Sequence, residues 1–475
     1  MTVLRLFKKL DSGGYSNMME FDVIVIGTGG GAKLIRPIAN LGYSVAVIEQ
    51  GKLGGTCLNH GCIPSKMLIH PADLIRDIEE GRQVNVVGRV PEIDFAALIN
   101  RTTESIEKDS SAIGPIYEAH PNITLFQGTG RFVGPLEIEV NGQTIRGKKI
   151  FISAGVRPRI PPIPGLADTP FLTHKEALRL KKKPRSITII GGGFIAVELG
   201  HFFSACGIGV TILSRSELLK EYDADLRDEF LPEFMNTLTV HDNCTFEQVT
   251  YDGALFSTTI VKDGKSHIIR SDQLLVATGM VSNSDILNVA AAGIETLSDG
   301  SIKVDDHLNT SAASVWAFGD IIGMPYYRHK ANFEGEYLFR SLFENPTTDA
   351  LKYPPMPWAF FTYPQIAGFG PSETDLAAQG IPYVVGKNTY KDSAMGMAYR
   401  SKYGFVKLIF DAQTKKLLSA FAIGPNAATM THMPLAFAQM NATLDDLLAT
   451  IYIHPALPEI VRNAARKAAA IFKKG

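Results

Sequence analysis

The stretch FDVIVIGTGGGAKLIRPIANLGYSVAVIE, residues 21–49, decides the fold. It opens on a β-branched run that ends in glycines, as a buried parallel strand does. Gly27, Gly29 and Ala32 follow in the spacing G-x-G-x-x-A. Gly27 permits the tight turn, Gly29 lets a pyrophosphate reach the backbone, and Ala32 lets the helix pack close to the strand. The free N–H groups of the helix N-terminus then face the anion. A second strand, SVAVIE, closes on Glu49. A carboxylate there accepts from both ribose hydroxyls, which a 2′-phosphate would obstruct. A glycine-rich turn in an ordinary α/β protein would not need the strand, the helix and the carboxylate together. Pro37 lies inside the expected helix and should kink or interrupt it.

A near copy, SITIIGGGFIAVELG, begins at Ser186 and runs into IGVTILSR. Gly191 and Gly193 stand where Gly27 and Gly29 stood, followed by Phe194 and Ala196. The second strand closes on Ser214 and Arg215, then Lys220, with no carboxylate at the ribose position. An arginine there suits a 2′-phosphate through charge-assisted hydrogen bonds, the rival being a solvated basic loop. The fold class is therefore α/β with two Rossmann-like units. Proline-rich stretches at 156–166 and 345–364 read as boundaries, and the last hundred-odd residues mix strands (YGFVKLIF, KLLSAFAIG) with a helix around LDDLLATIY.

A chain of 475 residues should form more than one domain. Forty-seven basic against 48 acidic side chains give a net charge of −1, which points to neither nucleic acid nor an anionic membrane. No apolar run has the length of a membrane span. Four cysteines are not a secreted disulfide framework, so a cytoplasmic setting is expected. Residues 1–20 read as a disordered extension or an upstream start, with Met18 or Met19 as alternative initiator and a transit peptide as rival.

Two of the four cysteines, Cys57 and Cys62, share GGTCLNHGCIPSK, residues 54–66. In an ideal helix, residues five apart have Cα atoms about 8–9 Å apart. That exceeds the roughly 7 Å limit for a disulfide. Either the pair is unbridged or the backbone is distorted, which Gly61 and Pro64 allow. A metal site through His60 is the rival, but structural zinc takes two ligand clusters, and Cys206 and Cys244 are isolated. No metal is expected. Two inert core cysteines fit a glycine-rich stretch beside a nucleotide motif poorly.

With these motifs in hand, the sequence from Phe21 to the C-terminus resembles the flavin-dependent pyridine-nucleotide disulfide oxidoreductases. GGTCLNHGCIPSK carries the resemblance, as do TSAASVWAFGD (310–320) and HPALPE (454–459). The resemblance implies an extension (1–20), an FAD domain in two parts (21–155 and 281–350), an inserted NAD(P) domain (156–280) and a dimerisation domain of α+β type (351–475). It implies FAD, held by Gly27, Gly29, Ala32, Glu49, Thr56, Lys66, Gly155 and Asp320. NADPH or NADH would meet Gly191, Gly193, Phe194, Glu198, Arg215, Lys220 and Gly279. The nicotinamide would reduce the flavin, and the flavin a Cys57–Cys62 disulfide. Cys62 would lie against the flavin and Cys57 would exchange with substrate. Lys66 and Glu198 match a pair at the reactive edge of the flavin. His454, oriented by Glu459, matches the acid/base, supplied by the partner in a homodimer.

CIPSK and HKANFEGEYL (329–338) look like dihydrolipoamide dehydrogenase, whose substrate is a lipoyl group. Arg215, Lys220 and Phe194 look like NADPH-using reductases of small disulfides such as glutathione or mycothione reductase. Mercuric reductase is disfavoured, because the chain ends AAAIFKKG without paired cysteines and keeps His454. Gly279-Met280-Val281-Ser282-Asn283 departs from the family's GRxPN. A redox sensor without disulfide turnover is the alternative of another class, which the His454–Glu459 pair disfavours.

Overall fold

The structure is a computed structural model and describes residues 18–474; most of the expected N-terminal extension, residues 1–17, lies outside the described residues. The first strand, β1 (Met19–Ile26), starts two residues earlier than the sequence suggests, because Met19 and Glu20 pair with Ile145 and Arg146. Helix α1 (Ala32–Asn40) follows the glycine turn, then β2 (Val45–Glu49). Pro37 does not interrupt α1. It removes one hydrogen bond near the end of a helix that Leu34, Ile35, Ile38 and Ala39 anchor in the core.

β1 is central in a seven-stranded sheet. β2 lies parallel on one side with Ile123–Gln127 beyond it, and Gln143–Ile152 lies parallel on the other. Val315–Ala317 adds to that strand from far along the chain. The second unit is a parallel four-stranded sheet, in the order Thr239–His241, Gly209–Leu213, Ser186–Ile190, Gln273–Val276. A two-stranded ribbon, Val156–Pro158 against Met280–Ser282, joins the two units. Residues 345–356 carry no regular structure, and a five-stranded antiparallel sheet follows. The helix Glu459–Phe472 packs its Ile460, Val461, Ala464, Ala465 and Ala468 against that sheet. The helix at LDDLLATIY stops at Ala449, shorter than the sequence suggests. Among the described residues no helix is long and apolar enough to cross a membrane.

Candidate active site

The C-terminal ends of β1 and β2 open onto a cavity of about 550 Å³. Gly27 turns with φ +94°, and a Cβ there would lie 2.5 Å from the Ser153 carbonyl oxygen. Gly55 has φ +68°, and its Cβ would lie 2.5 Å from the Gly29 Cα, so two loops meet backbone to backbone. Glu49 sits at the rim. One of its oxygens accepts from the Thr28 N–H (2.9 Å) and hydroxyl (2.7 Å), the other from the Gly51 N–H (2.9 Å). Ala32 opens α1 behind the turn, outside the cavity lining. Thr56, Gly155 and Asp320 face the same space. Burial pushes the Asp320 carboxyl up to about 6, against the pull of Lys330 and Arg328. A side-chain-free glycine cradle with a carboxylate at one end and a second carboxylate further in fits FAD.

The cysteines lie on two helices, α2 (Gly55–His60) and α3 (Cys62–Gly81), and Gly61 breaks the chain between them. The backbone is thus distorted, and the structure presents the pair as free thiols. The Cys62 thiol donates to Cys57, and this bond, with the charges of Arg328 and Lys66, lowers Cys57 to about 7 although burial opposes it. Cys62 is pushed up by its bond to Cys57 and by burial. Among the described residues, the one cluster with metal-ligand spacing is Asp305–Asp306–His307, two exposed carboxylates and a half-buried imidazole, which includes neither cysteine nor His60.

Lys66, one turn into α3, reaches the second unit. Its Nζ lies 2.6 Å from Glu198 Oε2 and 4.5 Å from the Phe361 ring centroid. Glu198 is buried on the helix Phe194–Ala205, and its other oxygen accepts from the Phe361 N–H at 3.0 Å. Phe194 opens that helix and lines the cavity beside this pair. The rest of the second motif lies away from the cavity. Gly191 has φ +137°, with its would-be Cβ 2.1 Å from the Ala277 carbonyl oxygen, and Gly193 caps the helix in open space. Arg215 and Lys220 are exposed after the strand Gly209–Leu213, with no ion-pair partner among the described residues. Gly279 precedes the linking ribbon with φ +98°.

His454 does not line the cavity of its own chain, and its side chain is 70% exposed. Its Nδ1 lies 3.0 Å from Glu459 Oε2. Burial opposes ionisation of Glu459, yet bonds to His454 and the Ala456 N–H, with the charges of His454 and Arg462, hold the carboxyl below its usual range. Arg462 Nη2 donates to Glu459 Oε1 at 2.6 Å. Sequence reasoning missed Arg462, the Phe361 N–H that holds Glu198, and Arg328, which lines the cavity beside Gly29. Arg462, three residues after Glu459 on one helix face, was readable from spacing. The other two come from distant segments with no motif.

Residues 21–335 match the family model for pyridine nucleotide-disulphide oxidoreductase, and residues 356–465 match its dimerisation domain. Among similar proteins are the mercuric reductase of Lysinibacillus sphaericus (30% identical; 94% of this chain, 83% of that protein) and the mycothione reductase of Mycobacterium tuberculosis (31%; 94% and 99%). The dihydrolipoyl dehydrogenase of Halobacterium salinarum is 30% identical over 94% of this chain and 96% of its own length. The solved HOCl-induced flavoprotein disulfide reductase RclA from Escherichia coli superposes with a TM-score of 0.83 at 25% identity, covering 95% of this chain and all of that one. The chain belongs to the pyridine nucleotide-disulphide oxidoreductase family, which uses FAD and NAD(P)H.

Proposed function

We propose that this chain is an FAD-dependent NAD(P)H:disulfide oxidoreductase working through Cys57 and Cys62. The observation that carries the reading is the dithiol beside the Lys66–Glu198 pair, in one cavity with the glycine turn and Glu49. Bound FAD supplies the two-electron relay between nicotinamide and dithiol. Lys66, fixed by Glu198 and Phe361, presents its ammonium to that space. The Cys57 thiolate attacks one sulfur of the substrate disulfide, and a thiolate leaves with a proton from His454. Cys62 gives its proton to the now neutral His454 and attacks the Cys57 sulfur, closing the Cys57–Cys62 disulfide, and that proton passes to the second leaving thiolate. Glu459 orients the imidazole and fixes its tautomer.

The overall sequence pattern is most like dihydrolipoamide dehydrogenase acting on a lipoyl group. Arg215, which has no ion-pair partner among the described residues, favours a second reading, an NADPH-dependent reductase of a small disulfide. The setting is the cytoplasm and the unit a homodimer. Purified protein should turn over lipoamide, glutathione disulfide or another small disulfide with a reduced nicotinamide. A flavin that is reduced without any disulfide turnover would leave the redox-sensor reading. One charged contact from Arg215 to a 2′-phosphate favours NADPH by about ten- to a hundred-fold in kcat/KM, and Arg215→Glu should reverse the preference. A wild type that prefers NADH sinks the Arg215 assignment and strengthens the lipoyl reading.

A further inference from the structure

We propose that Arg328 is the side-chain cation that holds the FAD diphosphate. The inference rests on the family's use of FAD, not on the choice of coenzyme or disulfide. Arg328 begins the helix Arg328–Phe339, and its side chain lines the cavity. A Cβ on Gly29 would lie 3.7 Å from Arg328 Nη1 and 3.7 Å from the Gly55 Cα. The guanidinium therefore stands at the one glycine of the turn whose bareness lets a phosphate approach.

Two other cations near this turn, Lys33 and Lys330, are engaged. Lys33 on α1 pairs with Glu336 at 2.7 Å, and buried Lys330 lies between the Gly323 carbonyl (3.1 Å) and Glu334 (3.5 Å). Arg328, half-buried, has no carboxylate partner among the described residues. The turn itself offers only backbone N–H groups and the partial positive charge of a helix end, against a ligand with two negative charges. A planar guanidinium fork matches two phosphate oxygens. Arg328 lines the same cavity as Cys57 and Asp320, and its charge pulls on both. Within its own chain the groups acting on Cys57 are Cys62, Arg328 and Lys66, to which the proposed homodimer adds a His454 imidazole, so the rival role for Arg328 is counter-ion of the Cys57 thiolate. Once a diphosphate neutralises the guanidinium, that influence on Cys57 falls away.

Flavin retention tests this. FAD release from diluted holoenzyme is read by flavin fluorescence at about 0.05 and about 0.5 M NaCl, which span strong and weak screening. Arg328→Gln should weaken FAD binding about ten- to a hundred-fold at low salt, and less at high salt. Arg328→Lys should lose only about three- to tenfold, since it keeps the charge but not the fork. The pH midpoint for alkylation of Cys57 in the reduced, FAD-saturated protein should be unchanged by Arg328→Gln. Wild-type retention of FAD by the Gln variant overturns the proposal. So does a loss that is equal at both salts and not recovered by Lys, which marks a packing role. A shifted Cys57 midpoint with unchanged FAD binding assigns Arg328 to the thiolate instead. If the Gln variant does not fold, the Lys variant decides: retention equal to wild type at low salt overturns the proposal.

Discussion

The reactivity of Cys57 turns first on its neighbour Cys62. Cys57 is lowered to about 7 chiefly because the Cys62 thiol donates to it, so the bond exists only while the pair is reduced and Cys62 keeps its proton. The sign follows. Below about pH 7 Cys57 is a thiol and slow; above it Cys57 is a thiolate and reactive. Iodoacetamide labelling of Cys57 in the reduced protein, followed by peptide mass, should therefore rise with a midpoint near pH 7. Cys62→Ser removes the thiol donor, and the midpoint should move up unless the serine hydroxyl replaces the bond. Cys62→Ala, which donates nothing, must move it up. A midpoint near the unperturbed thiol value of about 8.5 in the wild type would show that the two sulfurs do not share a proton. The spacing of the cysteines was legible in the sequence, and so was the choice it leaves between an unbridged pair and a distorted backbone. The donor direction was not, because it depends on the break at Gly61 and on charges from Arg328 and Lys66.

At the level of elements, what was legible followed from local backbone demands. The two glycine turns and their flanking strands are written in consecutive residues, since a tight turn needs glycine where no other residue fits. The reading of Pro37 failed because helix interruption depends on packing as well as on the lost bond, and the packing of α1 is tertiary. The contacts that tie one unit to another were not legible. Lys407, on the strand Phe405–Asp411, is 2% exposed and lies 2.8 Å from Asp223, 3.2 Å from Asp225 and 2.7 Å from Glu373. Asp223 caps the helix Ala224–Met235 of the second α/β unit, so one buried ammonium clamps that unit to the C-terminal sheet. GFVKLIF reads as a strand, yet nothing in it names a partner nearly two hundred residues upstream. Removing one member of a buried pair leaves the other charge uncompensated. Lys407→Met should cost about 3–5 kcal/mol in urea unfolding. Adding Asp223→Asn should recover part of that loss, since the two side chains act as a pair. A loss below about 1 kcal/mol for Lys407→Met would mean that the clamp is no stronger than a surface pair.

At the scale of the whole molecule, the dithiol and the His454–Glu459 pair lie apart within one chain. Cys57 lines the cavity, whereas His454 lies on the C-terminal domain, largely exposed and outside that cavity, with Glu459 and Arg462 behind it. An exposed imidazole backed by a buried carboxylate is arranged to act on something outside its own chain. A histidine that only packs would not need the 3.0 Å bond to Glu459. The match of residues 356–465 to a dimerisation domain supplies the second copy. The prediction is a homodimer whose two sites each take Cys57 from one subunit and His454 from the other. Cys57→Ser and His454→Ala should each be inactive in disulfide turnover. Mixed under conditions that exchange subunits, they should form heterodimers in which one site has both groups and the other has neither. Random exchange makes about half of the dimers mixed, so activity should recover to roughly a quarter of wild type per total site. Native mass spectrometry can count the mixed dimers independently of activity. Mixed dimers without recovered turnover would mean that His454 serves the dithiol of its own chain or none.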